Sequence, residues 1–327
     1  MTVIDVHTHI LSSRYMDFVR EKGGDEIGIS ESNGRRSLTS HGEVALGITQ
    51  GMWDMAERIR AMDQARVDIA ILSLTAPNVY WGGPEASLGA ARVINDDVAA
   101  TRRAYPDRIR GLASIPWQYP ELALKELGRA VDELGFIGVM VCATIAGEPL
   151  VDPRFEPIWR EIDRRGLPVL VHPGFVPGID ELDLIKFSLQ NVVGFTLDTT
   201  LAIGKMIVDR FFDRFTNLKI IASHAGGTLP YLAGRFDRCF ERSPYAPKMV
   251  DPAPSDYLRR IYYDSVAYRR DALALCIEVG GEDNVIYGTD YPHPIGDMAG
   301  ILARVNSFDA TVAEKIKHRN AERIFKI

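Results

Sequence analysis

Val3-Ile4-Asp5-Val6-His7-Thr8-His9 opens the chain with a short apolar run that ends in two histidines one residue apart. Read as a strand, its alternate side chains share a face. Asp5, His7 and His9 then point one way, and Ile4 and Val6 the other. Two neutral imidazoles on one strand face can bind a single ion of zinc or a neighbouring first-row metal. Taken alone, the pair fits two ordinary histidines equally well, so the rest of the chain decides.

Seven more runs rich in Val, Ile and Leu follow: Val67–Leu74, Ile109–Ile115, Phe136–Val141, Pro168–His172, Leu218–Ser223, Ile261–Val266 and Asn284–Thr289. Most are continuous rather than alternating, the pattern of parallel strands buried on both faces. The gaps carry helical patterns at Met55–Ala65, Ala86–Ala104, Pro120–Leu134, Arg154–Arg164, Thr199–Phe215, Leu229–Cys239, Ala272–Val279, Gly296–Val305 and Thr311–Phe325. Gly166 stands where the cap of the fourth would fall. Eight strands alternating with helices predict an α/β fold, a (β/α)8 TIM barrel forming one domain over 1–327. The alternative, an open doubly wound sheet, lacks its GxGxxG after the first run. Residues 11–51 are polar and Gly/Ser-rich with no clear period. They read as an insertion after strand one, over the active-site mouth, because loops that follow barrel strands lie on that face.

The composition narrows the function. Of 327 residues 46% are hydrophobic and 25% charged, with a formal net charge of −6. No Lys/Arg run exceeds a pair such as Arg102-Arg103, which argues against a nucleic-acid partner. Cys142, Cys239 and Cys276 are sparse and form no CxxC, as expected of a protein in a reducing cytoplasm. Asp5, His7 and His9 interrupt any signal-peptide core, and no run reaches the ~18 apolar residues of a membrane span.

The remaining histidines fall at strand ends. His172 ends the fifth run in Val169-Leu170-Val171-His172-Pro173. His224 ends the sixth in Ser223-His224-Ala225-Gly226-Gly227, and Asp290 the eighth in Gly288-Thr289-Asp290-Tyr291-Pro292. Closure of a barrel would set strand eight beside strand one, placing Asp290 next to His7 and His9. Three imidazoles and a carboxylate can then converge on one metal, with His224 near enough to act as a general acid/base. His293 follows Asp290 by three residues and is a candidate substrate contact. His41 and His318 read as solvated.

These motifs, with Met52-Trp53-Asp54, Arg58-Ile59, Met62-Asp63, Gly234-Arg235 and Tyr263-Asp264-Ser265, resemble the metal-dependent decarboxylase branch of the amidohydrolase superfamily along nearly the whole chain. The resemblance implies one divalent metal, zinc or alternatively manganese, on His7, His9, His172 and Asp290, with His224 as catalytic acid/base beside metal-bound water. It implies that Arg235 reaches a carboxylic-acid substrate across a subunit interface, in a homodimer or higher homo-oligomer. Two positions depart from the branch. Ala45–Met52 carries no basic residue where those decarboxylases have an arginine, and Gly174 replaces a tryptophan. The lysine used by binuclear relatives at the end of strand four is also absent, since none occurs between Lys125 and Lys186.

The expected reaction is non-oxidative decarboxylation of a small aromatic or unsaturated carboxylic acid. A cation is needed for substrate binding, and Arg235 and Arg58 are candidates. Asp290 would be catalytic as well as a ligand if the site instead hydrolysed a lactone, ester or amide by taking the proton of the attacking water. Hydration of a conjugated acid is a further variant, and a barrel that binds ligand without turnover is the non-enzymatic alternative.

Overall fold

The computed structural model describes residues 2–174, 176 and 178–327. Eight parallel strands form one sheet in chain order: β1 (Ile4–Ile10), β2 (Ile69–Leu74), β3 (Ile109–Ala113), β4 (Gly138–Cys142), β5 (Pro168–His172), β6 (Lys219–Ala222), β7 (Tyr262–Asp264) and β8 (Val285–Ile286). Each overlaps one of the eight apolar runs. Beyond β8 the chain continues alongside β1. The Val6 amide donates to the Tyr287 carbonyl at 3.0 Å, the Asp290 amide to His7 at 2.9 Å and the His9 amide to Tyr291 at 2.7 Å. These bonds close the sheet into a (β/α)8 barrel.

The barrel interior is apolar. Ile4, Val6, Ile71, Leu112, Met140, Leu170, Ile221 and Ile286 form one buried cluster, with Ala321, Ile324 and Phe325 of the last helix packed into it. The outward faces of the strands join a larger core beneath the helices. Burial on both faces explains the continuous apolar runs.

β1 departs from simple alternation. Asp5 pairs with Ala70 and Thr8 with Leu72, so β1 advances three residues while β2 advances two. One extra residue is a β-bulge, and it reverses the parity of the strand. Ile4 and Val6 face the interior. After the bulge His7 and His9 turn toward the barrel mouth, while Ile10 joins the outer core. Asp5 therefore does not share the histidine face, contrary to the alternation expected from sequence. Its carboxylate instead accepts from Thr289 Oγ1 at 2.5 Å and the His7 amide at 3.2 Å. Burial raises its pKa to about 7.

Residues 11–51 are structured where sequence offered no period. Ser12 caps a helix, Ser13–Lys22, and three antiparallel strands follow at Ile27–Ser32, Arg35–Ser40 and Glu43–Ile48. One face, with Ile27, Ile29, Leu38, Leu46 and Ile48, packs against the core, but each strand contributes only one or two of these residues, too few for alternation to stand out. The segment meets the chain after β8, where Thr49 Oγ1 donates to the Pro292 carbonyl at 2.8 Å.

Most predicted helices are present within a few residues. Asp54 caps Met55–Ala65 through the amides of Ala56 and Glu57, and Gly166 ends Glu156–Arg165 in a left-handed conformation. The predicted helix Thr199–Phe215 is instead two, Phe195–Val208 and Phe211–Arg214, separated where Arg210 turns left-handed with φ 53°. Gln190–Val208 is long and apolar enough by length and composition to cross a membrane, which the sequence reading did not register. Half of it is buried inside the protein, as in the core helix of a barrel.

Candidate active site

Four strand ends deliver the site. β1 brings His7 and His9, β5 brings His172, the turn after β6 brings His224, and the chain after β8 brings Asp290. All are buried or nearly so. One ligand atom of each of His7, His172, His224 and Asp290 lies within 4.8 Å of the others, and the same holds for His9, Asp290 and His293. Asp290 belongs to both sets.

The two oxygens of Asp290 face different neighbours. Oδ1 is 3.2 Å from His7 Nε2, 3.2 Å from His9 Nε2 and 3.8 Å from His172 Nε2. Oδ2 is 3.7 Å from His224 Nε2. Burial alone would raise the Asp290 pKa. The imidazoles around it, His293 first and then His172, His224 and His7, outweigh burial and hold the carboxyl well below the usual range.

The outer ring nitrogens fix the tautomers. His7 Nδ1 meets Asp264 Oδ2 at 2.6 Å and His172 Nδ1 meets the Pro173 carbonyl at 2.7 Å. His9 Nδ1 is 3.3 Å from Ser73 Oγ, whose own hydrogen goes to the Thr8 carbonyl. Each Nδ1 therefore carries a hydrogen, and each ring turns its Nε2 inward, where the neutral form presents a lone pair. Burial lowers His9 far below the ordinary imidazole range and His172 to about 3. For His7 burial also opposes charge, but Asp264 and Asp290 prevail and raise it to about 10.

This donor set fits a divalent cation. His7 Nε2 and His9 Nε2 face each other at 3.0 Å, a contact that repels unless a cation or proton lies between the lone pairs. Asp290 Oδ1 and His172 Nε2 are buried without a hydrogen-bond partner. Three imidazole nitrogens and one carboxylate oxygen are a common set for zinc and for manganese.

His224 occupies a different kind of position. His224, Ala225, Gly226 and Gly227 are four consecutive residues of positive φ, at 54°, 52°, 76° and 63°, of which His224 and Ala225 are left-handed helical. Non-glycine residues adopt this conformation at an energetic cost. Asp264 supports it by accepting from the His224 amide at 2.9 Å and the Ala225 amide at 2.8 Å. Gly226 and Gly227 are required here, because a Cβ would lie 2.7 Å from the Tyr263 ring and 2.3 Å from the Thr196 carbonyl oxygen. The turn holds the His224 ring over Asp290 Oδ2, with its Nδ1 unpartnered.

Asp264 is the residue that the sequence reading quoted without assigning a role. It sits at the end of β7, the same position on its strand as the other site residues, and that placement was the available signal. Its single carboxylate binds both His7 and the turn carrying His224.

The remaining candidates divide. His293 lies in the site, with its ring 4.8 Å from that of His9 and its Nε2 3.2 Å from Thr75 Oγ1. Arg58 is not presented to a substrate. Its guanidinium is fully buried, donates to the His9 carbonyl and, at 2.9 Å, to that of Gly51, and lies 4.9 Å from the Tyr291 ring centroid. That corrects its reading as a substrate contact, because it positions the end of β1. Arg235 is exposed on the helix Leu229–Arg242 and makes no hydrogen bond or ion pair among the described residues.

Residues 4–327 match the amidohydrolase family model. The 2-amino-3-carboxymuconate-6-semialdehyde decarboxylase of Dictyostelium discoideum is 32% identical, over 97% of this chain and 90% of its own. The gamma-resorcylate decarboxylase of a Polaromonas strain is 30% identical, over 83% of this chain and 86% of its own. The 5-carboxyvanillate decarboxylase of Novosphingobium aromaticivorans, solved with manganese and 4-hydroxy-3-methoxy-5-nitrobenzoic acid, has a TM-score of 0.85 at 25% identity, over 100% of this chain and 96% of its own.

Proposed function

The chain belongs to the amidohydrolase family, and on that footing we propose that it is a metal-dependent carboxy-lyase that removes CO2 from a small aromatic or unsaturated carboxylic acid. The observation that carries this reading is the split geometry at Asp290. Three inward imidazoles gather at Oδ1, while a fourth imidazole, on the turn after β6, stands at Oδ2. Relatives named as decarboxylases over most of the chain support it.

His7, His9, His172 and Asp290 would hold one divalent ion, which supplies Lewis-acid polarisation of an oxygen conjugated with the carbon that loses CO2. Zinc suits the donors, and the manganese complex of the Novosphingobium enzyme supports manganese as the alternative. The bond to the carboxylate carbon breaks, CO2 leaves, and the electron pair left on the substrate carbon takes a proton. His224 is placed to hold and deliver that proton. Asp264 keeps His7 and His224 in register, and burial keeps water from competing. We further propose that residues 11–51 cover the mouth. Arg235 is inferred to serve the neighbouring subunit of a homodimer. Its freedom from internal partners and the exposed Tyr231 on the same helix support this.

The test is CO2 release by metal-loaded protein from hydroxy- and amino-substituted benzoates and muconate-type acids, with lactones and esters assayed in parallel. No CO2 from any acid, or ring-opening of lactones alone, would overturn the reading.

A further inference from the structure

A cavity of about 620 Å³ opens at the other end of the barrel, where the strands begin. Its walls include Gly166 just before β5, Lys219 at the start of β6 and Tyr262 at the start of β7. None of its lining residues belongs to the site at Asp290. The volume is that of a small-molecule site.

The charge of this cavity is one-sided. Arg164, Arg165, Lys219, Arg260 and Lys326 line it against one acid, Asp163, on a chain whose formal net charge is −6. The three arginines are held by carboxylates that stand outside the lining: Arg164 by Glu161, Arg165 by Glu161 and Asp132, and Arg260 by Asp213. The Asp163 carboxylate accepts from the Asn217 amide at 2.7 Å. Lys219 and Lys326 make no ion pair among the described residues. Lys219 is half-buried and its Nζ makes one bond, to the Ile324 carbonyl at 3.1 Å, where the last helix ends. That carbonyl uses one of three N–H donors and leaves the positive charge without a counter-charge. Burial, with the charges of Lys326 and Arg323, lowers the Lys219 pKa, and no carboxylate opposes them. Ammonium groups crowded in this way repel one another, and an anion between them removes the repulsion. The Thr216 and Tyr262 hydroxyls and the Asn217 side-chain amide also line the cavity and have no partner among the described residues. They add neutral donors to the two free cations. Phe212 and Phe215 give the cavity an apolar wall.

We propose that this cavity is a binding site for a dianionic oxyanion, either inorganic phosphate or the phosphate of a small monoester, held by Lys219 and Lys326. Lysine meets phosphate as a point charge, and two free ammonium groups match two negative charges. The site lies at the foot of β5 and β6, whose far ends carry His172 and the turn with His224. It stands independently of the reaction proposed above. The test is calorimetric titration of metal-loaded protein with inorganic phosphate and with phenyl phosphate, in wild type, Lys219→Gln, Lys219→Arg and Lys326→Gln. Expected is one site per chain for at least one probe, with affinity about tenfold weaker in each glutamine variant. Lys219→Arg should retain binding, added NaCl should weaken it, and metal content should be unchanged throughout. Tighter binding of phenyl phosphate would identify a monoester as the ligand, and no gain from the phenyl ring would identify the free ion. Lys326 is exposed, so Lys326→Gln keeps the test decisive if Lys219→Gln does not fold. No heat from either probe at millimolar concentration would overturn the proposal. Binding that survives both glutamine substitutions would overturn it too, because the probe would then sit at the metal site.

Discussion

Replacing Asp264 by Asn should damage metal binding and the turn that carries His224 at the same time. The carboxylate accepts from four donors. Oδ2 takes His7 Nδ1 at 2.6 Å and the His224 amide at 2.9 Å, and Oδ1 takes the Ala225 amide at 2.8 Å and the Val266 amide at 3.0 Å. Asn presents one oxygen and one NH2, so whichever way it turns, two N–H donors face another donor. Two buried bonds to a charged acceptor, at about 1.5–3 kcal/mol each, amount to a loss of about 3–6 kcal/mol. For a chain of 327 residues unfolding with an entropy of about 2.1 cal/mol/K per residue, that lowers Tm by about 4–9 °C. Loss of the carboxylate behind His7 should also weaken metal affinity about 10–100-fold. The assay pairs differential scanning calorimetry with metal content measured after dialysis against graded chelator. A variant with Tm within 1 °C of wild type and unchanged metal retention would refute the shared role of Asp264.

His172→Ala or Asp290→Ala should leave substoichiometric metal by elemental analysis, whereas His224→Asn, whose side chain tolerates the left-handed backbone, should keep the metal and lose turnover by about 10²–10⁴-fold. Wild-type turnover by His224→Asn would remove His224 from the mechanism. Arg58→Met orphans the carbonyls of His9 and Gly51 and should destabilise by about 2–4 kcal/mol, read as a lower Tm; a rise in KM at unchanged Tm would restore it as a substrate contact. Asp198, buried and bonded to the Gly174 amide at 2.9 Å, has its pKa raised by burial from 3.8 to about 7. The folded state therefore keeps a proton that the unfolded chain has lost between those values, and stability falls as pH rises through that window. Asp198→Asn should raise Tm most at pH 8 and least near pH 4, in excess metal; a gain independent of pH would refute it.

Much of this was legible because the physics leaves marks in composition. Strands buried on both faces must be apolar throughout, so Val169-Leu170-Val171 and Ile220-Ile221-Ala222 announced themselves, and polar residues at their ends stood out. What escaped leaves no such mark. The bulge in β1 adds one residue without changing residue type, so Asp5 was placed on the wrong face. Asp264 looks like any strand-end acid until its four donors are seen. Arg58 read as a substrate cation because burial of a guanidinium among carbonyls cannot be inferred from neighbours in sequence. The strands within 11–51 each set only one or two apolar residues against the core, too few to make a period.

The extra residue in β1 also bears on how this chain tolerates heritable change. Substitutions between Asp5 and Thr8 leave the register intact, so their cost is confined to the side chain replaced. In-frame deletion of Val6 removes the extra residue while Asp5 and Thr8 keep their partners Ala70 and Leu72, so His7 and His9 stay on the same face. A deletion elsewhere in the strand has no such slack and turns the side chains beyond it to the opposite face. A one-residue gap at Val6 in an alignment therefore marks a homologue whose first strand is regular.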